Sequence, residues 1–216
     1  MLAQPAQSLT DLVLGVVVLA LAVRLARAPT ANRHWLRSFS WAGGAALAGA
    51  FHHAVMVRWP RPAAISWAII SLMVVVSVSY LLAATVLEVL GPGQARTFWL
   101  LRSAGLVAYL GAAVTGHAGV SAMLACESLT MLTVLVLWGL AAHRRHPMAR
   151  PVILAIFASG AAALTQLIPP DTTDTVELDP VSVYHLAQVV GMLLLYRAVV
   201  PATTKEPGLV PGSTPA

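Results

Sequence analysis

The chain has 216 residues, of which 58% are hydrophobic and 10% charged, and its mean hydropathy is +0.80. Soluble domains carry about 25% charged residues, so this composition excludes an ordinary water-soluble globule and reads as a polytopic membrane protein. The formal charge of +5 comes without an aromatic-interleaved basic groove, which sets nucleic-acid binding aside, and the single Cys126 excludes an intrachain disulfide.

Seven apolar segments follow one another, at roughly 8–27, 38–58, 63–90, 97–115, 120–142, 149–169 and 180–200. They predict an all-α fold, a seven-transmembrane helix bundle. The first segment has Asp11 near its start and Arg24 and Arg27 after it, so it lacks the basic start of a cleaved leader and reads as a retained helix. Gly91-Pro-Gly93, His146-Pro147 and Pro169-Pro170 mark sharp boundaries. The seventh segment opens with Asp179-Pro180, a capping residue followed by a proline suited to the first helical position. Residues 1–200 form one helical domain, and the Pro-, Gly-, Ser- and Thr-rich 201–216 read as a disordered polar cytoplasmic tail.

Loop charge sets the orientation. Arg24, Arg27, Arg33 and Arg37 flank the first link, Arg96 and Arg102 the third, and Arg144, Arg145 and Arg150 the fifth. Arg197 and Lys205 follow the last segment. All fall on one side, which the positive-inside rule assigns to the cytoplasm; Arg58 and Arg61 are the exceptions. The N-terminus is therefore expected outside and the C-terminus inside, in a multi-pass protein of the cell membrane. The acidic connection with Asp171, Asp174, Glu177 and Asp179 is expected outside.

With that topology, the polar residues within the segments gather in the outer half. His52 and His53, Glu127, His185 and Gln188 lie roughly 8 to 12 Å inside the outer ends of their helices. Asp11, Ser66, His117 and Gln166 are nearer those ends. Some have simple structural readings. Asp11 can complete a capping box with Ser8, Asp179 suits an N-cap, His117 can be a loop residue, and Gln188 can join helices. Glu127 and His185 need partners at their depth, and a direct hydrogen bond between them is one structural solution. A chemical solution is a zinc site built from His52, His53, His117 and His185, with a position left for water. Glu127 or Asp11 would take the proton, while Gln188, Ser66 or Tyr184 would donate to a developing oxyanion.

The placement of His52 and His53 late in the second segment, and of Tyr184-His-Leu-Ala-Gln188 early in the seventh, resembles a seven-helix superfamily. It contains the alkaline ceramidases, the progestin and adiponectin receptors and the bacterial haemolysin-III-like proteins. The resemblance implies zinc bound by His52 or His53 and by His185, and zinc-dependent cleavage of a lipid amide. The chain departs from the pattern at several positions. Val181 and Val189 flank His185 where a second histidine belongs, Ala48 and Gly49 stand where a serine belongs, and no aspartate begins the third segment. His117 and Glu127 would then substitute.

The function expected from these residues is a metal-dependent membrane hydrolase acting on a lipid amide or ester near the outer leaflet, with membrane lipid as its partner. A non-enzymatic sensor, small-molecule carrier or complex subunit is the main alternative. A haem-binding redox protein with a histidine axial pair is another. Retinal binding is set aside, because the single lysine, Lys205, lies beyond the seventh segment.

Overall fold

A computed structural model describes residues 2–28, 32–115, 120–167 and 179–200. These residues form helices without strands: α1 Pro5–Ala26, α2 Arg33–Ala54, α3 Pro60–Leu90, α4 Ala95–Val114, α5 Val120–His143, α6 Ala149–Leu164 and α7 Pro180–Val199. Short 3-10 turns at Met56–Arg58 and Thr165–Leu167 follow α2 and α6. The tail beyond residue 200, the connection with Asp171, Asp174 and Glu177, and His117 lie outside the described residues.

Four stretches are long and apolar enough to cross a membrane: Pro5–Ala26, Pro60–Leu90, Cys126–His143 within α5, and Pro180–Val199. The helix α6 is apolar but shorter. In α2 the cause is composition, since Arg33, His34, Arg37, His52 and His53 dilute the apolar residues of a 22-residue helix.

The helices α1, α2, α3, α5, α6 and α7 form a closed cycle of neighbours, and α4 packs against α5 with a smaller contact to α3. The first and last helices are therefore adjacent. Contact between α1 and α2 is close because glycines face side chains across it. A Cβ on Gly15 would lie 2.6 Å from Leu47 Cδ2, and one on Gly43 would lie 2.8 Å from Leu19 Cγ. Small residues that let backbones approach are the main route to helix association where lipid removes the hydrophobic incentive.

The core holds Trp35 and Phe39 of α2, Leu82 of α3 and Val134 and Trp138 of α5, all fully buried. Trp138 donates its indole N–H to Thr85 Oγ1 at 3.1 Å, which satisfies the polar edge of a buried ring. On the opposite face of α5, Leu132, Val136 and Leu140 recur every fourth residue and stay exposed. Such a stripe is costly in water and suits hydrocarbon.

Candidate functional site: a carboxylate between two histidines

At the end of the bundle where α1 and α7 begin and α2 finishes, the N-terminal segment closes over α2. Ala3 N–H donates to Ala54 O at 3.1 Å, Gln4 N–H to His53 O at 3.0 Å, and Ser8 Oγ–H to Ala50 O at 2.9 Å. The carbonyls of His53 and Ala54, left without partners at the end of α2, are thus satisfied by the N-terminal segment, and Ser8 adds a second bond to the carbonyl of Ala50. Ser8 is therefore not the cap of a helix completed by Asp11. The helix α1 begins at Pro5, which leaves Asp11 inside it and buried.

Asp11 is the centre of this end. Its Oδ1 lies 3.3 Å from His185 Nε2 and its Oδ2 lies 3.7 Å from His53 Nε2. The imidazoles of His53 and His185 are 6.4 Å apart, centroid to centroid. Each ring is gripped at its other nitrogen. His53 Nδ1 meets Gln4 Oε1 at 2.6 Å and His185 Nδ1 meets Thr10 Oγ1 at 3.2 Å. Thr10 directs its own hydroxyl hydrogen to the carbonyls of Ala6 and Gln7, so its oxygen accepts from His185. Gln4 Oε1 can only accept.

This hydrogen-bond network assigns Nδ1–H to both rings, and two Nε2 lone pairs then converge on one carboxylate. Three acceptors in contact repel one another unless a proton or another cation joins them. The arrangement can therefore take up and release protons at Nε2 and at Asp11. Sequence spacing alone assigned Asp11 to the outer level but did not single it out as the hub.

His52 turns another way. Its Nδ1 bonds Ser66 Oγ at 2.6 Å and its ring lies 5.5 Å from Trp67, so it anchors α2 to the start of α3. Tyr184 lies beside His185, with ring centroids 5.3 Å apart. Gln188 is directed to α6, where its Nε2 donates to Ser159 Oγ at 3.3 Å. That is an interhelical bond rather than a contact with the histidines.

The cap of α7 borders the site. Asp179 accepts from Val181 N–H and Ser182 N–H at 3.0 and 3.1 Å, from Ser182 Oγ–H at 2.6 Å and from Gln7 Nε2–H at 3.1 Å. Burial acts to raise its pKa, but the donors from Ser182, Gln7 and Val181 outweigh it and hold the carboxyl below its ordinary value.

Glu127 belongs to a different cluster. Its helix packs mainly on α3, α4 and α6, and its Oε1 lies 3.4 Å from Arg102 Nη2. Arg102 is buried, with Nη1 on Thr130 Oγ1 at 3.0 Å and Nη2 also on Val75 O at 3.3 Å. By sequence spacing Arg102 falls beside a loop and Glu127 at the level of the histidines; the two instead pair with each other. An arginine this far inside an apolar segment needs a carboxylate, and that was the signal available. Among the described residues no three of His, Cys, Asp and Glu form a group arranged to hold a metal ion.

A family model, described as a family of unknown function, DUF6962, matches residues 6–203. The chain belongs to this family. The match runs from the first turn of α1 to just beyond α7, so the family unit contains every helix that builds the site. No curated protein and no solved structure matches the chain.

Proposed function

We propose that the chain is a seven-span protein of the cell membrane, N-terminus outside and C-terminus inside, whose outer end is an acid–base centre for hydrolysis of a lipid amide or ester. The observation that carries this reading is the approach of the Asp11 carboxylate to both His53 Nε2 and His185 Nε2. Hydrolysis needs one group to take a proton from water and another to give one to the departing amine or alcohol. Three acceptors that share a proton can do both. Their location at the end of apolar helices suits a substrate with its chain in the bilayer and its polar bond at the surface. Arginines at the opposite end support the orientation.

Zinc is the cofactor that the resemblance implies. Two imidazoles and a carboxylate are zinc-type donors, and a bound zinc would supply an activated water. Among the described residues no three such groups are arranged to hold a metal ion. The steps above therefore use only the chain's own groups. The haem alternative gains no support from these contacts, because both Nε2 atoms approach the same carboxylate. The direct 3.3 Å contact of Asp11 with His185 favours a second reading. In it the pair latches α1 to α7 in a non-enzymatic sensor, carrier or subunit.

The deciding experiment measures release of fatty acid from ceramide and phospholipid by the purified protein in lipid nanodiscs, with elemental analysis of the same sample. Asp11→Asn and His185→Gln are expected to lower turnover at least ~100-fold, and His143→Gln to leave it unchanged. A wild-type protein that cleaves neither lipid class overturns the hydrolase reading and leaves the latch. One equivalent of zinc would instead make the metal the source of the missing positive charge.

A further inference from the structure

The turn between α5 and α6 lies at the other end of the bundle, among the arginines. A cavity of about 510 Å³ there is lined by Ala142, Arg145, His146, Pro147 and Arg150. Among the described residues the ion pairs lie elsewhere, at Asp11 and Glu127. Glu88, the carboxylate at the end of α3, is bonded by Asn32. The guanidinium groups of Arg145 and Arg150 therefore have no carboxylate partner among the described residues.

The backbone adds an independent sign. Arg145 N–H donates to Ala142 O at 3.0 Å and His146 N–H to Ala141 O at 2.9 Å, the crossed closure of a helix end that normally places glycine in the left-handed position. Here that position is Arg145, at φ 60°. A side chain with a Cβ is disfavoured there, and such strain gathers where a residue is needed for another purpose. His146 is also prepared. Its Nδ1 accepts from Met148 N–H at 3.3 Å, which leaves the ring hydrogen on Nε2, and its ring packs 5.6 Å from that of Trp138. The helix α6 starts at Ala149 with no side-chain cap, so its positive dipole end is not offset by one.

We propose that this cavity binds a phosphate group, held by Arg145 and Arg150 with His146 Nε2–H as a further donor. Guanidinium forks match phosphate oxygens in pairs. Two sources supply that chemistry: the headgroup of an anionic phospholipid, and a free phosphate compound from the aqueous side. The exposed stripe of Leu132, Val136 and Leu140 on α5 ends close to the turn in sequence and offers an acyl chain a path.

The test is native mass spectrometry of the full-length protein from nanodiscs of phosphatidylcholine with or without phosphatidylglycerol, together with titration by inorganic phosphate. Wild type is expected to retain phosphatidylglycerol in preference to phosphatidylcholine. Arg145→Gly with Arg150→Gln should weaken that retention roughly 30-fold, while Arg24→Gln with Arg27→Gln, on the same end, leaves it intact. Glycine suits the backbone at 145, so a raised melting temperature for Arg145→Gly alone verifies that the fold survives. Saturable inorganic phosphate binding with the same arginine dependence, and no lipid preference, assigns the cavity to a free phosphate compound. Equal losses in both double variants would mean general surface charge, and they overturn the proposal. So does a wild type that retains neither ligand.

Discussion

The carboxylate of Asp11 lies against Gly49: a Cβ at position 49 would come 2.5 Å from Oδ2. The bare backbone of α2, one turn before His53, is what lets the acid of α1 reach the imidazoles. Gly49→Ala should therefore displace Asp11 and cost about 1–3 kcal/mol of stability, the usual range for overpacking a tight site. Thermal unfolding in detergent reads the stability, and the hydrolysis assay reads the displaced acid. If the melting temperature and turnover both match wild type, Asp11 does not depend on this space.

The Arg102–Glu127 pair should behave as a structural link rather than as part of the Asp11 centre. Removing one partner, by Arg102→Met or Glu127→Leu, leaves a buried charge alone and should cost about 3–5 kcal/mol. The double variant should recover most of that loss. Glu127→Gln keeps a hydrogen-bonding side chain and should preserve turnover per folded molecule. Loss of turnover with unchanged stability in that variant would return Glu127 to the chemistry.

The capping carboxylate gives a pH dependence with a definite sign. The pKa of Asp179 is held below its ordinary value in the folded chain. Its contribution is therefore present above the unfolded value of about 3.9 and is lost as pH falls through the lower folded value. Asp179→Ala should reduce stability by about 1 kcal/mol at pH 7, and the gap from wild type should close on acidification towards that folded value. Unfolding curves at a series of pH values check this; a gap that widens in acid contradicts it.

At the opposite end, Arg145→Gly alone should raise stability by about 1 kcal/mol, because it removes a Cβ from a left-handed backbone. Chemical denaturation resolves a change of that size. A destabilised variant would mean that contacts of the Arg145 side chain outweigh its backbone strain.

Much of the architecture was legible in the residue order, because apolar runs and prolines are local signals. The cap at Asp179 and the breaks at Gly91-Pro-Gly93 and at His146-Pro147 are explicit in the sequence, and the helices end within a few residues of their apolar segments. The start of α2 moves forward from the expected position 38: the turn from Arg33 to Arg37, with its three basic residues, is helical because Asn32 caps it by accepting from His34 N–H at 3.0 Å. Pairing was not legible. Depth along a helix is a one-dimensional quantity, whereas partnership depends on which faces meet. His52 and His53 share a depth yet turn to different helices. Arg102 and Glu127 start from opposite ends, each about 10 Å inside its helix, and a long guanidinium spans the remainder.

The adjacency of the first and last helices sets a timetable for assembly. Asp11 leaves the ribosome early and its partner His185 late, with five helices made between them. A buried acid that must wait so long is exposed to lipid or to the insertion machinery in the meantime. Maturation of the centre is thus a post-insertion event, and chains stalled before the seventh helix will carry the carboxylate with only half of its histidine company.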